Sequence, residues 1–368
     1  MTNAFRDSEE SCALPTERTK YFAKMKKLPF ISALLLAAVL AAAGCGGTKD
    51  AKGTYVNPLK TAEGDTLRIA DPFVYKHEGM YYLTGTTGGD GFDYYTSPDL
   101  VTWSRGGTLY KRPADHFGTD CFWAPEVKYY RGRFYMTYSC ADPVRGILLT
   151  CLAVSDTPDG PFRDLRTPWF APEYSAIDCH IFVDDDPRAT PYLYYSCNGH
   201  RDGYAFGEIY AVRLKEDLSG FDGEPILISR ASQPWELVRS EVNRCNEGPF
   251  VFKHGDTYYM TYSANDTGYE FYGVGVSTAP SPLGPWTKAD DNPLMTTDLS
   301  AGISSPGHNS IVESPDGSET FIVYHRHADP HGERPSWDRV TCIDRIRVDS
   351  AGRLRMDGPT TDPQRLPE

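Results

Sequence analysis

One hairpin unit recurs five times along this chain, and that recurrence narrows the available folds more than any other feature. The first copy starts at Asp71-Pro72-Phe73-Val74-Tyr75 and continues into residues 79–86. The second runs from Trp123-Ala124-Pro125-Glu126-Val127 into residues 132–139, and the third from Ile177-Asp178 into residues 191–196. The fourth runs from Glu247-Gly248-Pro249 into residues 255–263, and the fifth from Gly307-His308-Asn309-Ser310 into residues 319–325. Each reads as two strands joined by a turn containing Gly, Asp or Pro. Outer strands follow in several copies: residues 94–97 lead to Trp103, 153–155 to Phe162 and 274–277 to Trp286. A repeat of four-stranded size with no helical period is the signature of a propeller blade. The expected fold is all-β, a five-bladed β-propeller over residues 61–368. A two-sheet sandwich would leave the recurrence unexplained.

The copies are headed by polar residues: Asp71, Glu126, Asp178, Glu247 and His308, spaced 55, 52, 69 and 61 apart. In a propeller the innermost strands run along one axis, so matching residues converge on one mouth. Four of the five are acidic. Grouped carboxylates repel, which costs stability unless protons or a cation relieve it. Such a cluster points to chemistry or to cation binding.

Composition supports a folded chain. Of 368 residues, 40% are hydrophobic and 24% charged, which is enough apolar material for a large core. The net charge of −13 argues against nucleic-acid partners, which select Lys/Arg excess. The 24 tyrosines suit strands and also suit surfaces that stack on sugars. Near the N-terminus, Lys24, Lys26 and Lys27 precede an apolar run over residues 28–44 that is short for a membrane span. Ala42-Ala43-Gly44-Cys45 resembles a bacterial lipoprotein signal, in which Cys45 is lipidated and becomes the mature N-terminus. Residues 1–45 are therefore read as extension plus signal, with Met25 as an alternative start, and 46–60 as a tether. The expected location is the outer membrane, cell surface or periplasm, with membrane contact only through the lipid. Seven cysteines remain after Cys45, an odd number whose spacings match no zinc pattern.

Taken together, the motifs resemble glycoside hydrolase family 43 over nearly all of residues 65–360. Ala70-Asp71-Pro72-Phe73 resembles the motif that carries the general base. Ile177-Asp178, followed by Phe182-Val183-Asp184, resembles the motif of the orienting aspartate. Glu247-Gly248-Pro249 resembles that of the general acid. Trp123 in Trp123-Ala124-Pro125-Glu126-Val127 resembles a wall of the sugar pocket. His308 resembles an axial histidine that in many members sits near calcium or another ion. Arg345, with Arg347 as competitor, resembles a late arginine that reaches the pocket. The resemblance implies inversion without a required metal or other cofactor. Asp71 would activate water, Glu247 would protonate the leaving oxygen and Asp178 would tune Glu247. It implies a carbohydrate substrate: α-L-arabinofuranosides first, with β-D-xylosides, arabinan and galactofuranosides as alternatives. A propeller that only binds glycans is the alternative of another class. Fructan and sucrose hydrolases carry an Asn-Asp-Pro-Asn-Gly leader, which Ala70-Asp71-Pro72-Phe73-Val74 does not match.

Other features have plainer readings. Asp184-Asp185-Asp186 reads as a solvated turn rather than a calcium loop. Glu126 reads as a pocket-lining or hydrogen-bonding group, and His325, His327 and His331 as a strand-end group rather than a metal site. Asp65 and Asp93 read as turn residues. Cys179 and Cys245, close to Asp178 and Glu247 in sequence, are expected near the pocket, as packed thiols or as a bridge between blades.

Overall fold

The structure, a computed structural model, describes residues 53–368, and the propeller unit spans Tyr55–Glu368. The targeting segment with Cys45 lies outside the described residues. Strands dominate, and two single-turn 3₁₀ segments, Pro234–Glu236 and Leu299–Ala301, are the helical elements among the described residues. No helix there is long and apolar enough to cross a membrane.

Five antiparallel blades follow in chain order. Their innermost strands are Ala70–His77, Trp123–Tyr130, Ser175–Val183, Asn243–His254 and Gly307–Glu313. In each, the next strand pairs with the innermost one and the third pairs outward, as the five hairpins require. Blades 3 and 4 are also joined by a short parallel pairing of residues 205–207 with 243–245. Each innermost strand neighbours the innermost strands of the two adjacent blades, so the ring closes. Alternate residues pack against the flanking blades, giving one hydrophobic cluster per interface. Leu193 and Val212 fill the interface of blades 2 and 3, and Val74, Leu83 and Phe321 that of blades 5 and 1.

Part of the segment read as a tether belongs to the body. Tyr55 and Leu59 are buried, and Leu59 N–H donates to Thr341 O at 2.9 Å. Lys60–Thr61 then pairs in parallel with residues 102–103 at the outer edge of blade 1. This strap ties blade 5 to blade 1. Its irregular backbone shows neither a period of 2 nor one of 3.6, which is why it reads as linker in sequence.

Every innermost strand carries a β-bulge at the same place. The ladder breaks between Ala70 and Phe73, Trp123 and Glu126, Ile177 and His180, Glu247 and Phe250, and Gly307 and Ser310. The first bulged residue has positive φ in all five: Asp71 50°, Ala124 43°, Asp178 54°, Gly248 55° and His308 47°. Four of these are not glycine, an unfavourable conformation that tends to gather at functional sites. The register in sequence is thereby corrected for two leaders. Asp71, Asp178 and His308 are equivalent. Glu247 stands one residue before its bulge, level with Trp123, and Glu126 stands two residues after its own, level with His180.

Candidate active site

The bulges free backbone N–H groups from the ladder, and neighbouring blades receive them. Ala124 N–H donates to Thr86 Oγ1 at 2.9 Å, His308 N–H to Ser263 Oγ at 2.8 Å and Asp71 N–H to His325 Nδ1 at 3.0 Å. Thr86, Ser263 and His325 hold the same position in their blades, opposite the residue before the bulge. Gly248 N–H instead donates to Asp178 Oδ2 at 3.1 Å. The strained turns at Ala124, His308 and Asp71 are thus held by side chains on the second strands of neighbouring blades.

Asp71 is buried and fully engaged. Its Oδ2 accepts from Thr86 Oγ1 at 2.6 Å, and its Oδ1 accepts from Arg339 Nη1 at 3.0 Å. His308 Nδ1 lies 3.4 Å from Oδ1. Burial opposes ionisation, but the charges of Arg339 and His308 outweigh it and hold this carboxyl well below the usual range. His325 receives the Asp71 amide on Nδ1, so its proton sits on Nε2, 3.1 Å from Thr267 Oγ1. Burial keeps that ring neutral, with a pKa of about 3.

The other two carboxyls behave oppositely. Burial first, and repulsion from Glu247 and Asp71, push Asp178 up to about 7 against the pull of His308. Burial is also the largest influence on Glu247, whose pKa is raised. Tyr272 OH donates to Glu247 Oε1 at 2.8 Å and Cys245 Sγ to Oε2 at 3.2 Å, and both contacts resist that rise. Burial would discharge His308, but Asp71, Asp178 and Glu247 outweigh it and raise its pKa. Asp178, Glu247 and His308 present ligand atoms within 4.8 Å of one another, and Asp71, across His308, is not in that group. One cleft therefore holds a carboxylate locked in its charged form and, beside an imidazole whose proton affinity is raised, two carboxyls that retain protons readily.

The expected axial calcium fits these residues poorly. Calcium takes about 6–8 oxygen ligands. The group around His308 offers carboxyl oxygens from Asp178 and Glu247 alone, both of which hold protons more tightly than usual, and an imidazole nitrogen in place of further oxygens.

Trp123 is partly exposed at the level of Glu247. Glu126 is buried deeper along the axis, where its Oε2 meets His180 Nδ1 at 2.7 Å, and His180 Nε2 donates to Val251 O at 3.2 Å. Arg345 is not in the cleft. It pairs with Glu319 at 2.8 Å and lines an opening of about 1000 Å³ at the far end of the axis, together with Tyr75, Lys128 and Phe252. Arg347 pairs with Asp357 there as well. The pocket arginine is Arg339, at the start of the same strand, Arg339–Val348. Six residues of strand carry Arg345 roughly 20 Å away from it. Cys179 and Cys245 are free, packed thiols: Cys179 Sγ donates to Thr150 Oγ1 at 3.1 Å. Asp184-Asp185-Asp186 forms a turn braced by Tyr258, Lys253 and Thr190.

Thr86, Tyr272 and Arg339 went unassigned in sequence, and His325 was read there as a strand-end residue without a role in the cleft. His325 had a signal: it ends the fifth hairpin where the other copies end in Thr or Ser. Tyr272 and Arg339 lie outside the repeated hairpin and had none.

A five-bladed propeller whose axial mouth holds carboxyls of opposed proton affinity is the equipment of a glycosidase. A family model for glycosyl hydrolases family 43 matches residues 65–353, and the chain belongs to that family. A β-D-galactofuranosidase of Aspergillus niger is 30% identical over 311 residues, covering 77% of this chain and 81% of its own. An extracellular exo-α-(1→5)-L-arabinofuranosidase of Streptomyces avermitilis is 28% identical over 74% of this chain, which spans 56% of that protein's length. The solved structure of a thermostable family-43 glycoside hydrolase is 43% identical, with a TM-score of 0.80 over 86% of this chain and 99% of its own. The chain is an enzyme that hydrolyses glycosidic bonds.

Proposed function

We propose that this protein is an exported, inverting α-L-arabinofuranosidase. The observation that carries the mechanism is the contrast between Asp71, held ionised, and Glu247, pushed toward its protonated form. Asp71 is the general base: it orients a water and takes its proton as the water attacks the anomeric carbon. Glu247 is the general acid and gives its proton to the leaving oxygen. Asp178 shares the buried acid cluster with Glu247 and, through Gly248 N–H, fixes the turn that carries it. His308 and Arg339 supply the local positive charge, and the reaction runs without a metal. Inverting enzymes separate their two carboxyls by roughly 6.5–9.5 Å to admit water, which suits residues on different blades. Trp123 forms part of the wall that the sugar packs against.

Support for the sugar comes from the relatives. Those above act, by their names, on β-D-galactofuranosides and α-L-arabinofuranosides, furanosides with the same ring stereochemistry and different exocyclic chains. Export is supported by the signal-like N-terminus and by the extracellular Streptomyces relative. Anchoring would run through a lipid on Cys45.

The test is NMR of the first product anomer released from aryl α-L-arabinofuranosides, with β-D-galactofuranosides and β-D-xylosides in parallel. Inverted arabinose as the fastest product is expected. Glu247→Gln should lose about 10²–10⁴-fold on substrates with poor leaving groups, the usual value of proton transfer, while remaining folded. Full activity of that variant would sink the assignment.

A further inference from the structure

One cluster of soft ligands takes no part in the site above. His116, Cys140 and Cys151 present Nε2 and two Sγ atoms within 4.8 Å of one another. Cys140 and Cys151 lie on neighbouring strands of blade 2, Arg133–Asp142 and Ile147–Ser155, and both are buried free thiols. His116 lies on the connector between blades 1 and 2, with its ring almost wholly enclosed. Because the ligands come from three separate segments, no zinc-like spacing appears in the sequence.

We propose that these residues bind one zinc-class divalent cation. The sulfurs stand 3.8 Å apart, Cys151 Sγ is 4.0 Å from His116 Nε2, and Tyr138 OH is 3.1 Å from that nitrogen. A tetrahedral zinc with bonds of about 2.3 Å to sulfur and about 2.0 Å to nitrogen needs donor separations of roughly 3.8 Å between sulfurs and roughly 3.3–3.6 Å elsewhere. The sulfur pair and the Nε2–hydroxyl pair are within a few tenths of an ångström of that shape, and Cys151 Sγ must close on Nε2 by about half an ångström. Tyr138 OH fills the fourth corner and already donates to Asp164 Oδ1 at 2.7 Å.

A disulfide fits the same atoms less well. Cys140 pairs with Leu149, and Cys151 pairs with Tyr138, so the two cysteines are diagonal neighbours. Diagonal positions lie roughly 7–8 Å apart, beyond the usual disulfide span of about 4.4–6.8 Å.

The surroundings fit a metal in two further ways. A Cβ on Gly118 would sit 2.5 Å from Cys140 Sγ and 3.1 Å from His116 Cε1, so only glycine lets the connector close on the thiols. Gly118 also provides for both states of the ring. Without metal, its N–H donates to Nδ1 at 2.9 Å and the ring proton sits on Nε2. On binding, the proton moves to Nδ1, and the Gly118 peptide turns so that its N–H leaves Nδ1 and its carbonyl oxygen, now 3.3 Å away, accepts that proton as the outer partner of a ligating histidine. Two thiols release their protons as the sulfur–metal bonds form, and two thiolates neutralise the divalent charge. The metal would fasten the connector, which leads directly to Trp123 and Ala124, onto blade 2.

The test is a Co²⁺ titration of the chelator-stripped full chain. A thiolate charge-transfer band with tetrahedral visible bands should saturate at one equivalent, and Zn²⁺ should displace it. Zn²⁺ should raise the melting temperature by several degrees, and Cys140→Ser with Cys151→Ser should abolish both responses. On the unmodified chain, Zn²⁺ should slow thiol-reagent labelling of Cys140 and Cys151, mapped by mass spectrometry, and leave Cys197 unaffected. Absence of the charge-transfer band, or labelling of Cys140 and Cys151 unchanged by Zn²⁺, would overturn the proposal. So would a double variant that folds and binds Co²⁺ like the parent.

Discussion

Asp178 shows how the cleft trades stability for chemistry. Its carboxyl has a folded pKa of about 7, above the ordinary value of 3.8, because burial and two neighbouring acids penalise the charge. The folded state therefore holds a proton that the unfolded state releases between those values, and stability falls as pH rises through that window. Asp178→Asn removes the penalty and keeps an oxygen that can accept from Gly248 N–H. At pH 7.5 the variant should be more stable than the parent by at least about 1.4 kcal/mol, the worth of one pKa unit, and the gain should vanish near pH 4. Activity should be lost at both pH values. Chemical denaturation at the two pH values checks this, and an unchanged or lowered midpoint at pH 7.5 would contradict the burial argument. The acids themselves were legible in sequence because they head repeated strands. Their proton affinities were not, since the largest cause is burial, which follows from how five blades close together. The partners of Asp71 were half legible. His325 stands at a repeated position, whereas Arg339 comes from a third strand that the repeat does not specify. Arg345 looked the better match by motif but lies at the wrong end of that strand.

At the scale of the element, the bulge is the unit that builds the site. Five positive-φ residues at matching places turn the strand, and the second strand of a neighbouring blade accepts several of the amides that this exposes. The hairpins were legible from period-2 patterns and turn residues, but the bulge was not. Because all five strands carry the bulge at one place, it fixes the register that sequence left open: Glu247 falls one residue before the bulged position and Glu126 two after it, although both head their copies. Gly307 shows the tolerance of this element. A Cβ there would meet Tyr272 Cε1 at 2.3 Å, and Tyr272 is fully buried, stacked on His325 at 5.9 Å between ring centroids and bonded to Glu247. Gly307→Ala must push that ring aside. Overpacking of this kind costs about 1–3 kcal/mol. The melting temperature should drop accordingly, and kcat should fall at least tenfold because Glu247 loses a positioning contact. A variant with parental kcat and melting temperature would show that the ring has room to move.

A propeller as a whole molecule must join its last blade to its first, and this chain does so with an irregular strap rather than a shared hairpin. Blade 5 draws its four strands from the C-terminal part of the chain, so the junction depends on residues 57–69. Asn57 does the work of a strand residue with its side chain. Its Oδ1 accepts from Ile343 N–H at 2.9 Å, and its Nδ2 donates to Ile343 O at 2.8 Å. Thr341 continues the seam, taking Leu59 N–H on its carbonyl and giving its own N–H to Leu67 O at 3.0 Å. The seam runs toward the cleft: Thr341 Oγ1 bonds Ile69 O at 3.3 Å, one turn of chain before Asp71, and Arg339 lies two residues before Thr341. Closing the ring and assembling the base site are thus one event. Asn57→Ala would leave the buried N–H of Ile343 without a partner and its C=O with Tyr55 OH alone, at 3.3 Å. The variant should unfold at a lower denaturant midpoint, by about 1–3 kcal/mol, the cost of an orphaned buried donor. Its kcat under native conditions should stay within a few-fold of the parent, because Asn57 touches neither Asp71 nor Arg339. A midpoint equal to the parent's would mean that the strap is dispensable and that contacts between blades 1 and 5 close the ring unaided.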